Sequence, residues 1–156
     1  MPLIRQICDA EQVDSNLVAA IILTESSGQT YITRYEPTFH YLEDARFWAS
    51  KLNVTELTEI AGQKTSWGLM QVMGGTARSE GFEGYFPELC QPEIGIKVGA
   101  THLKGLIYKW DSLEEAVSAY NAGTPNVVGG QFKNEAYVQK VMSFFEAIKS
   151  NSEVSK

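Results

Sequence analysis

The sequence predicts a mainly α-helical single domain. Three observations lead there. Apolar residues recur at three- and four-residue spacing over most of the chain, N-cap and stop residues bracket those stretches, and β-favouring residues gather in one region only, about 29–40. A length of 156 residues, 44% hydrophobic and 21% charged, suits one domain with a sizeable core and leaves little room for two.

Leu3, Ile4, Ile7 and Cys8 sit at helical spacing and predict a short first helix ending near Gln12. Asp14 and Ser15 are good N-caps for a second helix to about Ser26, which Gly28 is placed to end. Thr30, Tyr31, Ile32, Thr33 and Tyr35 then favour extended or irregular chain, and Glu36 precedes a proline, which disfavours helix. Helical signals return over Leu42 to Leu52 and, after a Thr55 cap, over Glu56 to Gln63; a further helix is expected over Gly68 to Ser79, interrupted or ended by glycines. Pro92 opens a long amphipathic helix to about Trp110. Ser112 with Glu115 makes a capping box for a helix ending near Asn121 to Gly123. The last helix is expected from about Asn134 to Lys149, followed by a frayed polar tail, residues 150–156.

A net charge of -6 argues against phosphate-driven nucleic-acid binding and polybasic membrane docking. The longest uncharged apolar stretch, Leu17 to Leu23, is far short of the roughly 20 residues of a membrane span. Residues Met1 to Ser15 lack the apolar core of a secretory signal, so export by another route, or a signal trimmed away, is expected. Cys8 and Cys90 are too few for a disulfide framework; one bridge stays open, two quiet buried thiols are the expectation, and with His40 and His102 they make no metal site.

Glu25 is the residue that stands out chemically. It closes a helix whose preceding residues, Asn16 to Thr24, carry no charge and are apolar on nearly every face. Apolar surroundings and the negative end of the helix dipole both act to raise its pKa. A carboxylic acid that keeps its proton near neutral pH is what protonation of a leaving oxygen requires, as in glycosidic bond cleavage. The competing reading leaves Glu25 in a frayed last turn facing water.

Three blocks occur in order: Glu25, Ser26, Ser27, Gly28; then Gly68, Leu69, Met70, Gln71; then Ala119, Tyr120, Asn121, Ala122, Gly123. Together they resemble the soluble lytic transglycosylase (SLT) family, goose-lysozyme-like domains that cleave peptidoglycan, over about Val13 to Phe145. Tyr137 with Val138 and Val141 is similar to the Tyr-Val pattern on that family's last helix. The resemblance implies a lysozyme-like catalytic domain over residues 1–149, acting as a monomer on peptidoglycan glycan strands in the cell wall, periplasmic or extracellular, without cofactor or metal. Phage-encoded and specially exported enzymes both fit that description. It implies that Glu25 is the catalytic acid and then the base, with Ser26 beside it near the substrate's N-acetyl group. Met70 and Gln71 would line the cleft and hold the sugar, Tyr120 and Asn121 would contact the region of the scissile bond, and Tyr137 would frame the site. The implied reaction cuts between N-acetylmuramic acid and N-acetylglucosamine. The muramyl 6-hydroxyl attacks the anomeric carbon and leaves a 1,6-anhydro sugar, and a nucleophile tethered on the substrate needs no second carboxylate.

The separation from Glu25 to Gln71 is about twice that common in the family, and the extra segment contains Arg34, Tyr35, Glu36, Pro37, Thr38 and Phe39. This aromatic-Glu stretch resembles one in some phage-associated N-acetylmuramidases. Glu36 therefore has two readings. As a second carboxylate about 6.5–9.5 Å from Glu25 it would activate a water and make the protein a hydrolytic muramidase. As a structural residue it would pair with Arg34 or Arg46 and hold the inserted loop over the cleft. His40 and His102 are expected to be surface or structural residues. Among Trp48, Trp67 and Trp110, Trp67 is the best placed to stack on a sugar. A third reading is a non-catalytic wall-binding or structural module on an old lysozyme fold.

Overall fold

The computed structural model describes residues 2–154. It is mainly α-helical. Helix α1 (Pro2–Glu11) stops at Gln12, where φ reaches 60°. Asp14 caps α2 (Ser15–Glu25) by accepting the Asn16 N–H at 2.8 Å, and Leu17 through Ile22 are buried without a break. No one-sided helix would tolerate that run; α2 is the central element, flanked by α1 and by α8 (Glu135–Val154). Pro92 opens α6 (Pro92–Lys109), which packs on α1 and on α7 (Leu113–Ala122). The Ser112–Glu115 capping box starts α7, and Gly123, at φ 79°, turns the chain out of it.

A second group of elements lies between α2 and α6. Strand β1 (Thr33–Tyr35) pairs antiparallel with β2 (Thr65–Trp67), which pairs antiparallel with β3 (Val72–Met73). Helices α3 (Ala45–Leu52), α4 (Glu56–Gln63) and α5 (Gly74–Ser79) and a 3-10 turn at Phe86–Cys90 complete it. Its centre is polar. Arg78 is wholly buried, donates to both carboxylate oxygens of Glu59 at 2.9 and 3.2 Å and to the Phe82 and Gly84 carbonyls at 2.7 and 2.9 Å, and lies over the rings of Trp48 and Phe86. The same Glu59 accepts from the Gln63 amide at 3.0 Å. Every side-chain nitrogen of the network has an acceptor, which is what makes such a group tolerable in a dry interior.

Several expectations change. The helix expected over Gly68 to Ser79 begins only at Gly74, because Gly68 and Gln71 have φ of 68° and 48° and fold the chain into the β2–β3 hairpin. A β-carbon at Gly68 would run into the Leu89 carbonyl, so the turn needs glycine there for room as well as for conformation. Helix α3 starts after Asp44, not at Leu42, since the Gln63 amide grips both the N–H and the C=O of Glu43 and holds that stretch extended. A two-residue hairpin, β4 (Val127–Val128) and β5 (Gln131–Phe132), turns through Gly129 and Gly130, both at positive φ. Helix α8 continues to Val154, so the expected frayed tail is helical that far; residues 155–156 lie outside the described residues. Cys8 and Cys90 are both buried and unbridged. No helix among the described residues is long and apolar enough to cross a membrane.

Candidate active site

A cleft of about 630 Å³ runs past the end of α2, the β-sheet, α5, α6 and the end of α7. Glu25, Arg34, Glu36, Gln71, Tyr120 and Asn121 all line it. Glu25 is the last residue of α2 and is half-buried. From α8, the Tyr137 hydroxyl donates to Glu25 Oε1 at 2.6 Å, and one turn on Lys140 Nζ reaches the Thr24 carbonyl at 3.4 Å. The α2–α8 packing thus delivers the hydroxyl to the acid. Burial raises the pKa of the Glu25 carboxyl; the Tyr137 hydrogen bond and the charges of Arg34 and Lys140 oppose that rise without cancelling it. Burial and the facing carboxylate push the Tyr137 phenol far above its ordinary range, so it stays a donor.

Tyr120 comes from α7 and donates to the Met70 carbonyl at 2.9 Å, tying the helix to the β2–β3 turn. Burial, then the charge of Glu25, raises its phenol well above the usual value. Asn121, exposed on the cleft, uses Oδ1 to accept from Asn134 Nδ2 at 3.0 Å. Asn134 is fixed in turn by wholly buried Ser118, whose hydroxyl donates to Asn134 Oδ1 at 2.7 Å and whose carbonyl accepts from Asn134 Nδ2 at 3.1 Å. The network turns the Asn121 carbonyl oxygen inward and leaves its NH2 as a donor for the cleft.

Two expected contacts are placed elsewhere. The Met70 side chain is fully buried against Gly99 and does not line the cleft; only its carbonyl serves the site, through Tyr120. Ser26 faces inward at 2% exposure, its Oγ 2.8 Å from the Leu69 carbonyl and 3.0 Å from that of Ile22, so it pins the end of α2 to the turn and is not open to an N-acetyl group. Gln71 does line the cleft, but its amide is engaged: Nε2 donates to the Ile32 and Gly68 carbonyls, each at 2.9 Å, and Oε1 accepts from Ser66 at 2.9 Å. It braces β1 against the turn. Glu36 pairs with Arg34 at 2.5 Å, while Arg46 pairs with Glu56. Trp67 stacks on Phe86 and gives its N–H to the Gly62 carbonyl, away from the cleft lining.

Four contributors carried no distinguishing signal in the sequence. Arg34 and Asn134 appeared only as an ion-pair partner and a helix start. His102, expected at the surface or in a structural role, lines the cleft with its ring 5.5 Å from Tyr120 and Nδ1 2.8 Å from Glu80. Tyr41 lines it from the inserted segment. No His, Cys, Asp and Glu cluster suited to a metal ion occurs among the described residues.

The family model described as Transglycosylase SLT domain matches residues 2–140 of the chain. No curated protein and no solved structure matches it.

Proposed function

Because the chain belongs to the transglycosylase SLT family, whose domains act on cell-wall peptidoglycan, we propose that it is a lytic transglycosylase with Glu25 as its one acid and base. The observation that carries this reading is the half-buried Glu25 carboxyl, raised in pKa, gripped by Tyr137 and open to a glycan-sized cleft. Protonated Glu25 gives its proton to the oxygen that links N-acetylmuramic acid to N-acetylglucosamine. The bond to the anomeric carbon breaks, the muramyl 6-hydroxyl adds to that carbon, and the Glu25 carboxylate accepts the hydroxyl proton. The carboxyl ends the cycle as it began. No water enters, so the product carries a 1,6-anhydro ring and is lighter by one water than a hydrolysed end. Tyr137 holds one carboxyl oxygen still through both proton transfers, and the Asn121 NH2 is a donor for the sugar beside it.

Glu25→Gln should leave the fold intact and abolish release of soluble fragments from purified peptidoglycan; retained release rejects the assignment. A second reading, hydrolysis by Glu25 and Glu36, draws on one observation, the presence of both carboxylates in one cleft. The Arg34–Glu36 pair favours a positioning role for Glu36 instead. Mass spectrometry of the products decides: anhydro ends support the transglycosylase, whereas hydrolysed ends together with a dead Glu36→Gln variant support the muramidase. Binding to the wall with no product released would mark a non-catalytic module.

A further inference from the structure

The inserted segment presents an aromatic surface to the cleft that the chemistry around Glu25 does not use. Tyr41 lines the cleft and is 70% exposed. The His40 ring lies against it, centroids 4.2 Å apart and planes inclined by 34°, and Phe39 abuts it edge-on at 5.9 Å. All three belong to the cleft wall, whereas Tyr31 and Tyr35, also exposed, do not. The loop that carries them is fixed from beneath. The Gln63 amide clamps Glu43 through its N–H at 2.8 Å and its carbonyl at 3.2 Å, Lys64 Nζ donates to the Pro37 carbonyl at 3.1 Å, and Gly75 of α5 leaves space that the Tyr41 carbonyl and the Phe39 ring occupy. Gln63 is itself wholly buried and held by Glu59, so the loop rests on the Arg78–Glu59 network. A broad ring held at a fixed place and left open to water on a cleft wall is preorganised for a flat, partly apolar face, because little further ordering is needed on binding.

Resting on the functional reading above, we propose that Tyr41, steadied by His40 and Phe39, is a stacking platform for a pyranose ring of the glycan strand, a sugar subsite built by the inserted segment on the wall carried by α5. Its role is uniform binding of the strand, separate from the proton transfers at Glu25. The test measures binding of peptide-free glycan strands to full-length protein in a Glu25→Gln background, by calorimetry. Adding Tyr41→Ala should weaken binding about tenfold, whereas Tyr41→Trp should hold it within about threefold, as a stacking surface demands. Thermal melting of both variants should match that of their parent, since the ring touches little else. Equal affinity for the Ala variant and its parent overturns the platform, as does loss of binding in the Trp variant to the extent seen with Ala. Release of anhydro products by the unsubstituted protein is scored separately: their presence with unchanged affinities refutes the platform alone, and their absence alongside the tenfold loss in the Ala variant refutes the transglycosylase reading alone.

Discussion

The Tyr137 hydroxyl donates to Glu25 Oε1, and this one bond sets two measurable properties. It lowers a carboxyl pKa that burial has raised. In Tyr137→Phe the pKa of Glu25 therefore moves further up, and under the proposed mechanism the alkaline fall of the pH–rate profile should shift to higher pH. Stability follows the same sign. A carboxyl whose folded pKa lies above its unfolded value leaves stability intact below the unfolded pKa, and stability falls as pH rises through the folded one. Glu25→Gln should thus match the unsubstituted protein in urea midpoint at low pH and exceed it at neutral pH. Asn134→Ala would strip wholly buried Ser118 of its acceptor and Asn121 of its orienting donor; it should cost about 1–3 kcal/mol in urea unfolding and weaken glycan binding as well. How far the site could be read beforehand follows from side-chain direction. Glu25, Gln71, Tyr120, Asn121 and Tyr137 do converge, because motif order reports which segments meet. Ser26 and Met70 turn inward, and a motif does not encode which way a side chain points when its neighbours in the fold are not known. Gln71 lines the cleft from a backbone at a left-handed φ of 48°, which a non-glycine residue does not advertise.

Helix ends were the most legible elements. Asp14, Thr55 and Ser112 cap where their types suggest, since each contact lies within three residues and needs no partner from elsewhere. The β2–β3 hairpin was hidden. Its strands are too short for alternation, and its neighbouring glycines look like a loose helix until Leu89 and Cys90 pack against Gly68. The buried Arg78–Glu59 pair was equally silent, being 19 residues apart and indistinguishable in sequence from surface charges. Its removal is the sharpest test of the inserted elements: Arg78→Ala strips the buried Glu59 carboxyl of its ion-pair partner and should cost about 3–5 kcal/mol in denaturant unfolding. Arg78→Lys should recover only part, because an ammonium cannot match the fork onto Glu59 together with two carbonyls. Since Glu59 also holds Gln63 under the Tyr41 loop, the Lys variant should weaken glycan binding too.

Across the whole molecule, the core joins α1, α2, α6, α7 and α8 to the β2–β3 turn and the 3-10 segment in one apolar cluster. The two thiols report on its integrity. Cys8 is wholly buried, with burial raising its pKa to about 11, and Cys90 is buried and raised as well. Neither should react with iodoacetamide in the native state, both should react on unfolding, and reductant should leave the melting temperature unchanged. The tie between Glu25 and Tyr137 spans 112 residues, from the second helix to the last. During synthesis a ribosome would release the carboxyl long before the hydroxyl that steadies it, so in a nascent polypeptide Glu25 waits without this donor until α8 docks on α2.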